Sequence, residues 1–146
     1  MTDRHVRVSA RGVVRRGDEI LVARERDTTG GADGDAFYYL LGGGVEFGEH
    51  SAEALRREFD EELGVTVENV SHLETHEEVF DYDGRTEHEV ARLYEADIAE
   101  SWPYERDAFE GYEPDLDERI ECVWKRADAF AADEETLYPE ALDPSA

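Results

Sequence analysis

Glu58, Glu61 and Glu62 stand three and four residues apart, a spacing that puts all three carboxylates on one side of a helix. Like charges so placed repel, costing an isolated helix about a few tenths of a kcal/mol per pair. A cation among them is the natural complement. Clustered carboxylates suit Mg²⁺, a hard ion that takes oxygen ligands and keeps several waters, with Mn²⁺ as the alternative. Gly42-Gly43-Gly44, shortly upstream, adds bare backbone that can approach a phosphate or a metal closely. The same charges also fit a solvated helix face in an acidic chain, and the glutamates alone leave the two readings level.

The element that must carry them is a helix over Ser51 to Leu63. Ser51 suits the N-cap, Glu53 lies in the first turn where the helix dipole favours an anion, and Gly64 suits a left-handed C-terminal cap. Leu55, Phe59 and Leu63, four residues apart in turn, form one apolar stripe for packing. Strands are expected at Val6 to Val14, Ile20 to Ala23 and Phe37 to Leu41. Two longer ones follow, Val65 to Phe80 and Glu87 to Ile98, joined by a turn at Asp81 to Gly84. Thr28 to Asp35 reads as a polar loop and Ser101 to Asp117 as an aromatic, acidic insertion. Arg119 to Arg126 is a further strand and Ala127 to Glu135 a second helix. The expected fold class is α/β, a mixed sheet with helices on its faces. A single domain over residues 1–146 is expected, with a core of about 6–130 and a short acidic C-terminal tail.

The whole segment from Gly43 to Val65 resembles the Nudix box without a break. Gly43, Glu49, Arg57, Glu58, Phe59, Glu61, Glu62, Gly64 and Val65 occupy the family's places over 23 positions, a far more specific signal than a lone glycine motif. The flanking strands are similar to the family's α/β/α sandwich. One departure is Leu41-Gly42, where many members carry Pro-Gly; it concerns the rigidity of the turn. The resemblance implies that Glu58, Glu61 and Glu62 bind the catalytic metal and that Gly43 adds its backbone carbonyl. It also implies that Arg57 pairs with Glu49 to hold the carboxylates in place, a fork-to-carboxylate contact that lysine would reproduce poorly. Glu46 is a further candidate for the metal or its water, and Gly44 joins Gly43 as backbone facing substrate.

The implied activity is hydrolysis of a phosphoanhydride bond in a nucleoside diphosphate linked to another moiety, such as a nucleotide sugar, an ADP-ribose-like compound or a dinucleoside polyphosphate. Metal ions neutralise the phosphate oxygens and lower the pKa of a water, while a carboxylate takes its proton. That base is a box glutamate or one of Glu110, Glu113 and Glu118 in the insertion, of which Glu118, just before a strand, is favoured. The alternative is a non-catalytic nucleotide-binding or sensor module of the same fold, against which the intact carboxylate set argues. Tyr82, seventeen residues beyond Val65, lies where diadenosine polyphosphate hydrolases of this family tend to carry a tyrosine, though a tyrosine is common in any strand-rich segment. Trp102, Tyr104, Phe109 and Tyr112 serve equally well to stack on a nucleobase or to fold back over the sheet.

Composition sets the outer limits. The 146 residues carry 39 acidic against 15 basic side chains, a net charge of −24, and Lys125 is the single lysine. A chain so acidic lacks the basic footprint that a nucleic-acid backbone requires. Its surface resembles those of proteins adapted to molar salt, where screening lets like charges crowd together. Cys122 is the single cysteine, which excludes an internal disulfide and a cysteine metal cluster. No apolar run suggests a signal peptide or a membrane span. The expectation is a halophilic cytoplasmic enzyme with a small-molecule nucleotide substrate and no nucleic-acid or membrane partner; a homodimer is kept open.

Overall fold

The computed structural model describes residues 5–26, 36–82, 84–114, 116–131 and 136–138. The chain runs β1 (Arg7–Val13), β2 (Arg15–Arg16), β3 (Glu19–Arg26), β4 (Ala36–Gly44), α1 (Ser51–Leu63), β5 (Val67–Tyr82) and β6 (Arg85–Ile98). A short 3-10 turn (Trp102–Glu105), β7 (Ala108–Glu113), β8 (Glu118–Arg126), α2 (Asp128–Ala131) and β9 (Thr136–Tyr138) follow. The strands lie in the order β5-β6-β1-β4-β3-β8-β7, with β2 beside β3 and β9 beside β4. β1 pairs parallel with β6 and β9 parallel with β4, while the other pairings are antiparallel. The sheet is therefore mixed, as expected.

Alternation along the strands divides the apolar side chains between two faces. Ala10 and Val14, Leu21 and Ala23, and Leu41 face α1, where Ala54, Leu55 and Phe59 complete one core. Val13, Ile20, Val22, Tyr38 and Leu40 build the other, with Phe130 of α2 and Leu137 of β9. The Phe130 ring meets Tyr38 edge-on at 5.6 Å, a favoured aromatic geometry. Helices thus cover both faces of the sheet.

Several local expectations change. The cap of α1 is His50, whose Nδ1 accepts from the Ala52 N–H at 3.1 Å. Ser51 is already helical, and its hydroxyl is hydrogen-bonded to Tyr94 Oη. Gly64 closes the helix in the left-handed conformation, its N–H donating to the Asp60 carbonyl. β4 runs on through Gly42, Gly43 and Gly44, because β1 offers them backbone partners at Arg11, Ala10 and Ser9. The 101–117 insertion is no open loop, for β7 pairs with β8 along its length. β5 continues to Tyr82, with irregular register between Glu68 and Ser71 and between His72 and Glu74. The 28–35 loop, Asp83 of the hairpin and residues 132–135 of the expected second helix lie outside the described residues. Among the described residues, no helix is long and apolar enough to cross a membrane.

Candidate active site

α1 turns Ala54, Leu55 and Phe59 into the core, and this rotation decides what becomes of its carboxylates. Glu58 and Glu62, four residues apart, follow the apolar stripe inward and are 8% and 7% exposed. Glu61 stays outside, with its side chain more than a third exposed. Across from the helix, β7 directs alternate residues at it: Phe109 and Gly111 are buried and Glu113 is half-buried on the same face. Oxygens of Glu58, Glu62 and Glu113 all lie within 4.8 Å of one another.

Like charges this close repel, and burial disfavours the ionised form of Glu58 and Glu62. Burial pushes the Glu62 carboxyl up to about 9, and the charges of Glu58 and Glu113 add to the effect. Glu58 is also raised by burial, against the pull of Arg57. Glu62 Oε1 is buried with no hydrogen-bond partner among the described residues, a costly arrangement unless a cation or a proton completes it.

Arg57 ties the loop ahead of α1 to the helix. It donates from Nε to Glu49 Oε2 at 2.8 Å and from Nη2 to Glu49 Oε1 at 3.1 Å, a bidentate pair. Its Nη1 serves Glu58 at 3.0 Å and Glu61 at 3.3 Å, and Nη2 also reaches the Gly44 carbonyl at 2.9 Å. Glu49 is held below the usual carboxylate range by this contact. Its Oε1 in turn accepts from the Glu46 N–H, which closes the loop on itself. The Glu46 carboxylate lies 3.8 Å from Arg57 and is largely exposed.

The glycines earn their places by geometry. A Cβ on Gly43 would lie 2.5 Å from the Glu58 carboxyl carbon, so a side chain there would push that carboxylate from its place. Gly42 has φ +144, and a Cβ there would fall 2.0 Å from the Ala10 carbonyl oxygen, which no L side chain tolerates. Gly44 has open space around it.

The remaining candidates are placed elsewhere. Glu118 opens β8 opposite Glu113 and is exposed; its charge acts on Glu25. Glu110 faces solvent and meets Arg119 at 3.8 Å. Tyr82 ends β5, paired with Arg85, and its side chain lies outside what is described. Trp102 packs edge-on against Phe109 at 5.1 Å and Tyr104 stacks on Trp124. Tyr104 Oη also accepts from the Ile98 N–H at 2.8 Å, and Trp124 Nε1 donates to the Pro103 carbonyl. Those aromatics fold back on the sheet. Tyr112 alone of the four is exposed, hydrogen-bonded to Asp117.

Two site neighbours were not singled out from the sequence, Arg11 and Tyr39. Glu113 was named without being favoured. The alternation of Phe109, Gly111 and Glu113 marks that face once the segment is read as a strand.

A family model described as the NUDIX domain matches residues 3–140. Among solved structures, the chain is similar to a MutT NUDIX hydrolase from Burkholderia pseudomallei, with 28% identity and a TM-score of 0.60 over 86% of each chain. A NUDIX hydrolase from Nitrosomonas europaea shares the fold at 21% identity and a TM-score of 0.60, covering 88% of this chain and 77% of its own. A mutator MutT protein from Bacillus halodurans does so at 18% and 0.57, covering 89% and 74%. A search of curated proteins finds no match. A family match over nearly the whole chain, on a mixed sheet that carries this helix, makes the protein a member of the NUDIX hydrolase family.

Proposed function

We propose that the protein is a divalent-metal-dependent hydrolase that cleaves a phosphoanhydride bond in a nucleoside diphosphate linked to a further group. Nucleotide sugars, ADP-ribose-like compounds and dinucleoside polyphosphates are the substrate classes in view. The observation that carries this reading is Glu62, buried with an unpartnered oxygen beside Glu58 and Glu113. An all-oxygen donor set of this kind fits Mg²⁺ or Mn²⁺. Glu58 and Glu62 would hold the ion, with Gly43 backbone alongside and Glu61 and Glu46 at the open rim. Bound there, a divalent cation supplies charge neutralisation for the phosphates and a lowered pKa for a water.

The chain's own residues do the rest. Arg57 fixes Glu58 and Glu61 through the helix and Glu49 through the loop, so the carboxylates are preorganised before substrate arrives. The glycine edge of β4 lets a phosphate approach without meeting a side chain. Glu113 is the favoured proton acceptor, in place of Glu118, because β7 holds it beside Glu58 and Glu62. Water oxygen bonds to phosphorus, the bridging anhydride bond breaks, and the water's proton passes to Glu113.

A panel of nucleotide sugars, ADP-ribose, dinucleoside polyphosphates and nucleoside triphosphates, assayed with Mg²⁺ and Mn²⁺ in high salt, tests the reading. Activity is expected to vanish in chelator and to return with either ion; full turnover in chelator would sink the metal assignment. Repeating the best reaction in ¹⁸O-labelled water identifies the phosphorus attacked.

A further inference from the structure

An anionic substrate needs a cation from the protein, and Arg57 has none of its donors to spare. All five of its N–H groups are engaged with Glu49, Glu58, Glu61 and the Gly44 carbonyl. A second cation, Arg11, stands beside the glycine edge of β4. Arg11 lies on β1 opposite Gly42, one residue from the Gly43 backbone that hugs Glu58. Its Nη1 donates to the Leu40 carbonyl at 2.9 Å, and its guanidinium lies 6.0 Å from the centre of the Tyr39 ring. Among the described residues its ion-pair partner is Glu89, which is shared. Nε stands 3.5 Å from Glu89 Oε1, the oxygen that already accepts from Ser9 Oγ. Nη2 has no hydrogen-bond partner among the described residues. The side chain is 17% exposed, so the free edge is partly desolvated, where a charge-assisted hydrogen bond is strong.

Resting on the hydrolase reading above, we propose that Arg11 contacts the substrate directly, its guanidinium binding a phosphate oxygen of the nucleoside diphosphate on the β1–β4 side of the carboxylate cluster. Leu40 and Tyr39 hold the fork in position, and the neighbouring glycines leave the approach clear. A purely structural Arg11, closing the Leu40 carbonyl and Glu89, would have no preference for a phosphate.

Titration calorimetry with ADP and with adenosine, each with Mg²⁺, separates the two roles in wild type, R11Q and R11A. Glutamine keeps a donor for Leu40 and loses the charge; alanine loses both. Affinity for ADP is expected to fall at least about tenfold in both variants, the scale of one charge-assisted hydrogen bond, while adenosine affinity stays unchanged. Added guanidinium is expected to restore part of the loss in R11A, and should R11A not fold, R11Q carries the same comparison. Equal effects on both ligands, no effect on either, or no ADP binding by the wild type overturns the proposal. Binding requires no turnover, so a substrate panel without hydrolysis would remove the hydrolase reading while this experiment still decides Arg11.

Discussion

At the scale of single residues, the burial of Glu62 ties its protonation to stability. Its carboxyl is raised from 4.5 in the free residue to about 9 in the folded chain. Between those values an unfolded chain has released a proton that the folded one keeps. The contribution of Glu62 to metal-free stability is therefore complete below pH 4.5 and is lost as the pH climbs towards 9. Glu62→Gln removes this dependence: thermal melts in chelator are expected to show the variant above wild type by a few degrees at pH 8 and level with it at pH 4. Turnover on the best substrate should fall at least ~100-fold, the scale of one preorganised electrostatic group. Glu53→Gln, in the exposed first turn, should leave turnover nearly intact. Gly43→Ala is the steric counterpart. Its methyl would meet the Glu58 carboxyl at 2.5 Å, so activity and apparent Mg²⁺ affinity are expected to drop together, by tenfold or more, in a metal titration.

At the scale of elements, the site depends on how closely β7 lies on α1. A Cβ at Gly111 would sit 2.6 Å from a Leu63 methyl and 2.9 Å from the Glu62 carbonyl oxygen. The leucine tip can swing aside, but the helix backbone cannot. Gly111→Ala is thus expected to lift β7 from the helix and carry Glu113 away from Glu62. Overpacking of this kind typically costs about 1–3 kcal/mol, which a denaturant melt reads directly. Loss of turnover beyond what the folded fraction explains would mark the displacement of Glu113. Wild-type kinetics in a stable Gly111→Ala protein would show that the β7 spacing is unimportant.

At the scale of the whole molecule, charge dominates. Fifteen basic side chains stand against 39 acidic ones, so the chain carries a net charge of −24 whatever the packing. Exposed pairs such as Arg126 with Asp128 at 2.9 Å are worth little and weaken further in salt. Screening the repulsion among the excess acidic charges is expected to outweigh that loss, because the Debye length shrinks from about 8 Å at physiological salt to about 3 Å at 1 M. The thermal midpoint is expected to rise from low to molar KCl. A flat or falling midpoint would remove the halophile reading.

The sequence by itself determined the elements whose signals are local. Period-four apolar positions and a terminal glycine marked α1, the turn at Asp81 to Gly84 marked the two long strands it joins, and the spacing of the Gly43–Val65 segment marked the family. Position 50 escaped because a histidine cap is unusual and Ser51 beside it looks better; the choice fell to Tyr94, a strand neighbour that takes the Ser51 hydroxyl. Tertiary structure alone decided which carboxylates share a site. On the helix Glu61 and Glu62 look equivalent, yet the packing of Phe59 and Leu55 buries one and leaves the other at the rim. Glu113 and Glu118 are both acidic residues near a strand end, but only pairing along β7 and β8 says which one reaches α1. Arg11 reads as a polar interruption in an apolar strand until Gly42 and Tyr39 are placed beside it. Contacts between residues far apart in the chain depend on the register of the whole sheet, which a turn fixes only between the two strands it joins.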